Sequence, residues 1–273
     1  MIFADLHIHT KYSDGDRTPS EIIEMAKQSR LTHLAITDHD TLNGVDQAVT
    51  LGKKHGIVVL PGIEVSTYEF REVHILGYCR NWTSANLKAL VQKAGELRSK
   101  RNEQIFEKLA QCGIDVTYAE FLKETRLKPE QVGRTHIARY LIEKKAVTHM
   151  NEAFSEYLGN GAKASVAAER LTVRQAVEGI LKEGGVPVLA HPKNLNLSES
   201  ELDGFLKKWT EFGLMGMETN YFSHTDREVQ TFSRLAEKYG LIKTGGSDFH
   251  GNGTVGKKYF VPEEKTIRAL KLG

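Results

Sequence analysis

The sequence lacks most of the features that would assign it to a class at once. It has only two cysteines, Cys79 and Cys112. They are too few for a disulfide framework and sit at no metal-type spacing, so they read as reduced thiols in a reducing compartment. No apolar stretch approaches the ~20 residues that a membrane helix needs. The opening MIFADLHIHT has neither the positive start nor the apolar run of a secretory signal, and the expectation is a cytoplasmic protein. Charge of neither sign dominates: 37 Lys and Arg face 35 Asp and Glu, for a formal net charge of +2. The chain as a whole therefore carries no basic nucleic-acid signature, which leaves only a local patch open. Repeats, low-complexity tracts and long linkers are missing as well.

What is present is a chain of 273 residues, 40% hydrophobic and 26% charged, ordinary for a globular protein with a proper core. Short apolar runs alternate with helical patterns. The runs predict strands at Ile2–His7, His33–Thr37, Val58–Val65, His74–Tyr78, Val186–Ala190, Met215–Thr219 and Leu241–Gly245. Helices are predicted at Pro19–Ser29, Gly44–His55, Val173–Glu183, Glu201–Phe212 and Asp226–Tyr239. This alternation predicts an α/β architecture with parallel strands, and the length suits a barrel. One stretch breaks the rhythm. Residues 84–164 look helical throughout, with Leu87, Leu90, Val91, Ala94 and Leu97 at helical spacing, and read as a helical subdomain inserted between barrel residues 1–83 and 165–273.

The chemistry lies in the placement of His, Asp and Glu. Asp5, His7 and His9 alternate along the first strand, so His7 and His9 share a face. Asp14 follows in Ser13-Asp14-Gly15. The second strand ends in Thr37-Asp38-His39-Asp40 and the third in Gly62-Ile63-Glu64. His74 opens the next run, His191 follows Val188-Leu189-Ala190, and Gly246-Ser247-Asp248-Phe249-His250 closes the last strand. Taken singly, each has an ordinary reading: Asp14 as turn chemistry, Asp38 and Asp40 as helix caps, a histidine as a structural residue. Together they recur at strand ends, the face where β/α barrels build active sites. A cysteine-free set of histidines and carboxylates suits Mn²⁺, Zn²⁺ or Fe²⁺. It is also too large for one ion, which points to a two-metal type of hydrolase. His33, His55, His149 and His224 read as surface or core residues.

These motifs, in this order from first strand to last, resemble the PHP (polymerase and histidinol phosphatase) family. The resemblance implies a distorted (β/α)7 barrel holding two or three divalent ions, with Mn²⁺ favoured and Zn²⁺, Fe²⁺ or Mg²⁺ as alternatives. Carried over by motif, His7, His9 and Asp248 would take the first ion, with Glu64 bridging. Glu64, His74 and His191 would take the second, and Asp14, His39 and His250 the third. Inside the insertion, Gly133-Arg134-Thr135-His136-Ile137-Ala138-Arg139 resembles the branch of nucleoside 3′,5′-bisphosphate phosphatases and 5′-3′ exoribonucleases. That branch commonly has Pro where Thr135 stands. The branch implies that Arg134 and His136 contact substrate phosphate, and a guanidinium does offer phosphate a planar two-point grip. Arg98, Lys100 and Arg101 form a small basic run that reads as a solvated helix face or, alternatively, as a second phosphate contact.

The expected activity is hydrolysis of a phosphomonoester by metal-activated water, with the 3′-phosphate of a nucleoside 3′,5′-bisphosphate as substrate and the insertion as a cap over it. Asp38 and Asp40 would orient ligand histidines or shuttle protons. Nothing resembles an activated nucleophile, so no phosphoenzyme is expected. The alternatives are a 5′-3′ exonuclease on short RNA or DNA, a histidinol-phosphate phosphatase and a non-enzymatic metal-binding regulatory module. No obligate protein partner is evident.

Overall fold

The computed structural model describes residues 1–167, 169–251, 253, 255–256 and 260–272. The chain divides into two compact units, Met1–Val91 with Leu171–Gly273, and Gln92–Arg170. Among the described residues no helix is long and apolar enough to cross a membrane.

The first unit is a seven-stranded, nearly closed barrel with helices around it. The strands β1 (Ala4–Ile8), β2 (His33–Ile36), β3 (Val58–Tyr68), β4 (Glu72–Tyr78), β5 (Val186–Leu189), β6 (Gly216–Tyr221) and β7 (Ile242–Gly246) lie side by side in chain order. Each falls within a few residues of its predicted run, because buried strands are written as short apolar segments. Leu6, Leu34, Leu76 and Val188 are fully buried. Helices α1 (Pro19–Gln28) and α2 (Val45–His55) follow the first two strands. Thr18 and Glu21 form a reciprocal cap at the start of α1, with Pro19 in its first turn, where a missing N–H costs nothing. Ile22, Ile23 and Ala26 of α1 and Ala48 of α2 pack with Ile8, Leu34 and Ile36.

The expectation of parallel strands fails at β4, which runs antiparallel to both β3 and β5. The cause is the connection. Only Glu69–Arg71 separates β3 from β4, and a parallel crossover needs a dozen residues or more. The reversal matters for the site. The start of β4 lies beside the end of β3, with His74 opposite Ser66 and Leu76 opposite Glu64, so His74 reaches the same rim as the ends of the parallel strands.

The barrel closes where β1 meets β7. The His9 N–H donates to the Phe249 carbonyl at 2.9 Å. The Asp5 carboxylate accepts from the backbone N–H groups of Ser247 at 2.9 Å and Gly256 at 2.8 Å. Approach is close here: a Cβ on Gly246 would lie 2.4 Å from the His7 Cβ and 2.6 Å from its nitrogen.

The second unit has its own core. Helix α3 (Ala85–Gln111) starts in the first unit and continues into the second, followed by α4 (Tyr118–Thr125), α5 (Arg134–Glu143) and α6 (Met150–Glu152), the last running into a wide helical turn at Ala153–Leu158. Phe106, Leu109, Phe121, Ile137, Leu141 and Leu158 pack together. The basic run in α3 is not a solvated face. Arg98 and Arg101 are buried, and only Lys100 is exposed. Ala94, Arg98, Arg101, Ile105 and Leu109 recur at helical spacing, so the two arginines lie on the apolar stripe itself. Arg101 donates to the Asn102 side-chain oxygen at 2.9 Å, and Asn102 donates to the Val132 carbonyl just before Gly133.

The remaining helices, α7 (Val173–Leu181), α8 (Glu199–Glu211), α9 (Asp226–Lys238) and α10 (Glu264–Leu270), belong to the first unit. Substitution at the closure should be costly. Gly246→Ala forces a carbon into the His7 backbone and is expected to lower unfolding free energy by about 1–3 kcal/mol, as overpacking does. A urea midpoint equal to that of the wild-type chain would show that the closure gives way instead.

Candidate metal centre

All nine side chains singled out as metal ligands lie in the first unit, in one cluster. At its centre is Glu64 on β3, fully buried. Its Oε2 lies 3.3 Å from His7 Nε2, 3.1 Å from His9 Nε2 and 3.1 Å from His39 Nδ1. Its Oε1 lies 2.9 Å from both His74 Nδ1 and His191 Nε2. Asp248 Oδ1 faces His7 Nε2 at 3.2 Å and His9 Nε2 at 3.0 Å, while Asp14 Oδ1 faces His250 Nε2 at 3.2 Å. Three sets of donors converge closely enough to hold an ion: His7, His9, Glu64 and Asp248; His9, Asp14, His39 and His250; and His39, Glu64 and His74. His191 falls outside these three sets but shares Glu64 Oε1 with His74.

Local structure explains how the side chains arrive. Asp38, just past β2, accepts from the Thr10 N–H at 2.7 Å, the Thr10 hydroxyl at 2.7 Å and the Ser13 hydroxyl at 2.6 Å. It thereby ties down the loop between His9 and Asp14, and Ser13 Oγ in turn lies 3.4 Å from His9 Nδ1. Gly15 is required beside Asp14, because a Cβ there would lie 2.6 Å from the His9 carbonyl oxygen. Asp40 accepts from the Ser66 N–H at 2.8 Å and donates its own N–H to the Glu64 carbonyl at 3.0 Å. The backbone is strained at this rim. Asp40, His191 and Asp248 have φ of 50°, 26° and 48°, in a region that non-glycine residues avoid and that often marks functional sites.

The floor and the mouth of the cluster differ. His7 and His9 have no exposed side-chain surface, and Glu64 has almost none. His39, His74 and His250 keep 14%, 17% and 32% of theirs. Asp248 keeps 15%, so the cluster is open to solvent on the side of these three rings and Asp248.

Electrostatics follows from this crowding. Burial disfavours a charged Glu64, but His39, His7 and His74 outweigh it and hold the carboxyl well below its usual range. Burial opposes a charged Asp14 and Asp248 too, and facing histidines, His250 foremost for Asp14 and His7 for Asp248, again hold them well below it. In return Glu64 raises His74 to about 10 against burial, and Asp14 raises His250 to about 10. His39 goes the other way: burial prevails and lowers it to about 3. The donor set passes the test for cations. His7 Nε2, His9 Nε2, His39 Nδ1 and Glu64 Oε2 are buried without a hydrogen-bond partner, and such atoms are costly unless something satisfies them. Nitrogen and carboxylate donors converging in this way suit borderline divalent metals.

Arg134 and His136 belong to the second unit. Arg134 begins α5 and donates to Asn160 Oδ1 at 3.5 Å. The His136 ring caps the same helix by accepting from the Gly133 N–H at 3.0 Å. His136 also lines a cavity of about 450 Å³ with Arg139, Tyr140 and Glu143.

Two functional-looking residues escaped the sequence reading. Glu218 on β6 is fully buried, and its carboxylate lies 3.3 Å from His7 Nδ1. Tyr221 donates its hydroxyl to Asp248 Oδ2 at 2.7 Å. A lone acid inside an apolar strand was the available signal for Glu218, whereas Tyr221 carried none.

The PHP domain model matches residues 5–169. The chain belongs to this family. It is 35% identical over 247 residues to a 5′-3′ exoribonuclease of Haemophilus influenzae, covering 90% of this chain and 89% of that one. It is 32% identical over 258 residues to a 3′,5′-nucleoside bisphosphate phosphatase of Chromobacterium violaceum, covering 94% and 90%. A solved structure of an amidohydrolase from Chromobacterium violaceum with bound sulfate superposes with a TM-score of 0.89 at 31% identity, over 98% of this chain and 96% of that one. This PHP protein is a metal-dependent phosphoesterase, an α/β barrel enzyme whose His, Asp and Glu cluster can bind metal ions.

Metal uptake should depend on pH in a fixed direction. Without metal, His74 and His250 hold protons through neutral pH. A ring nitrogen binds a cation only after losing its proton, so uptake releases protons and weakens as pH falls. Mn²⁺ added to the metal-free chain in weak buffer should acidify it, with weaker binding at about pH 6 than at about pH 8. Glu64→Gln, which keeps the shape and removes the shared charge, should leave the purified chain nearly free of metal by elemental analysis. Unchanged metal content would show that Glu64 is not a shared ligand.

Proposed function

We propose that the chain removes the 3′-phosphate from nucleoside 3′,5′-bisphosphates. The observation that carries this reading is the near full-length match to a bisphosphate phosphatase, in a chain whose candidate ligand cluster has every member present. Manganese is the proposed native metal. When bound, divalent ions would supply positive charge for the phosphoryl oxygens and bring the acidity of a water toward neutral pH. His7, His9, Asp14, His39, Glu64, His74, His191, Asp248 and His250 would hold them.

The chain's own residues have separable tasks. Glu64 places one carboxylate between the donor sets. Asp38 spends both oxygens on Thr10 and Ser13, which favours a positioning role on the His9 loop over proton transfer. Asp40 fixes Glu64 through the backbone. Arg134 and His136 are proposed as phosphate contacts: a guanidinium at a helix start joins a two-point grip to the positive end of the helix dipole. Phosphoryl transfer depends mainly on positioning and charge stabilisation, and these residues would supply both.

A second reading is a 5′-3′ exonuclease acting on short RNA or DNA, favoured by the 35% identity to an exoribonuclease. The two activities are compatible with one site. Phosphate release by the manganese-loaded chain from adenosine 3′,5′-bisphosphate and from histidinol phosphate, beside release of mononucleotides from a short 5′-phosphorylated RNA, separates them. Fast release from the bisphosphate is expected; shortening of the RNA with a silent bisphosphate would replace the first reading with the second. Arg134→Ala should raise KM or lower kcat/KM by about 10-fold or more, the scale of one charged hydrogen bond, with metal content unchanged. A kinetically silent Arg134→Ala would remove Arg134 from the phosphate site.

A further inference from the structure

Among the described residues, β6 is the one strand whose rim supplies none of the nine ligands. We propose that β6 instead provides the support behind them, with Glu218 positioning His7 and His191 and Tyr221 positioning Asp248. This inference rests on the metal-dependent reading of the cluster.

The geometry is specific. Both Glu218 oxygens lie 3.3 Å from His7 Nδ1, and Oε2 also accepts the His191 backbone N–H at 2.8 Å. A carboxylate facing Nδ1 keeps the ring proton there and leaves the Nε2 lone pair for a cation, and such partners orient metal-binding histidines generally. His7 Nε2 is the atom that faces Glu64 and Asp248 and has no hydrogen-bond partner. At His191 the same carboxylate holds a backbone with φ 26° and ψ 64°, a conformation that persists only where the surroundings enforce it. Glu218 thus couples a donor from β1 to one that follows β5. Tyr221 occupies Asp248 Oδ2 and leaves Oδ1 toward His7 and His9.

The strand is shaped for this double task. Residues three apart on a regular strand face opposite ways. Between β6 and β7 the register runs Glu218 to Thr244 and then Asn220 to Gly245, so β6 carries one extra residue. A bulge of this kind re-aims the side chains beyond it, and it turns Tyr221 toward the side already served by Glu218.

The test is Mn²⁺ affinity of wild-type, Glu218→Gln and Tyr221→Phe chains, by equilibrium dialysis with elemental analysis, beside histidine ring ¹⁵N spectra of the proteins loaded with diamagnetic Zn²⁺ and thermal unfolding of the metal-free proteins. Gln keeps the shape and an acceptor for His191 but removes the charge facing Nδ1. Glu218→Gln should weaken binding about 10- to 100-fold and Tyr221→Phe about 10-fold, the range for groups behind metal ligands. With Zn²⁺ bound, the His7 Nδ1 resonance should move in Glu218→Gln while those of histidines that do not touch β6 stay in place, which a merely structural role would not cause. If Glu218→Gln fails to fold, Tyr221→Phe decides alone, because it removes a single oxygen. Wild-type affinity in the variants overturns this inference and leaves the metal centre standing. A wild-type chain that binds no Mn²⁺ overturns both.

Discussion

Five imidazoles press on one carboxylate. Glu64 sits between His7, His9, His39, His74 and His191 at 2.9 to 3.3 Å, and it does so in the protein interior. Histidine rings that close are stable together only when anionic groups or cations balance them, and a carboxylate that buried is tolerable only when opposite charge surrounds it. Each half of the cluster therefore justifies the other. Much of the barrel serves to maintain this balance. β1 delivers two rings, the hairpin of β3 and β4 delivers the carboxylate and a third, and the segments past β2, β5 and β7 deliver the rest under backbone strain. The same crowding leaves His7 Nε2, His9 Nε2, His39 Nδ1 and Glu64 Oε2 buried side by side without hydrogen-bond partners, and cations would satisfy them.

Most of this plan was legible in the sequence because both of its signals are local. An apolar run of five or so residues identifies a buried strand without knowledge of its neighbours, and seven of them appeared where seven strands stand. Candidate ligands at strand ends were legible for the same reason: His191 follows Val188-Leu189-Ala190 directly. The direction of β4 depended on the brevity of the link at Glu69–Arg71, which the apolar pattern does not weigh. The apolar pattern ends the third strand at Val65, yet β3 continues to Tyr68, because the hairpin prolongs the pairing beyond the rim. The burial of Arg98 and Arg101 was hidden for the opposite reason. Charge dominates the reading of a helix face, while their spacing with Ala94, Ile105 and Leu109 was the better guide.

The supporting residues were illegible in a different sense. Glu218 and Tyr221 act through partners far along the chain, His7 and Asp248, and their common facing arises from a one-residue bulge that no periodicity foretells. Sequence order places ligands well when a rule ties them to strand ends. It places the groups behind the ligands badly, because those are tied to the ligands and not to the strand pattern.

This division bears on how one barrel serves several phosphoesters. A cluster held by strand ends and braced by β6 is rigid machinery for binding metal and stabilising charge on a phosphoryl group, and those demands are the same for a mononucleotide and for the end of a chain. Relatives named for a bisphosphate and for RNA, at 32% and 35% identity, fit that view. Choice between substrates must then rest on groups that recognise what lies beyond the phosphoryl centre. In this chain the second unit carries its own core and its own buried arginines, and Arg101 reaches, through Asn102 and the Val132 carbonyl, the loop that begins α5 at Arg134. That loop belongs to the second unit, whose core is separate from the core of the barrel. If Arg134 and His136 contact phosphate as proposed, substrate choice can drift in the insertion while the cluster stays fixed by charge balance.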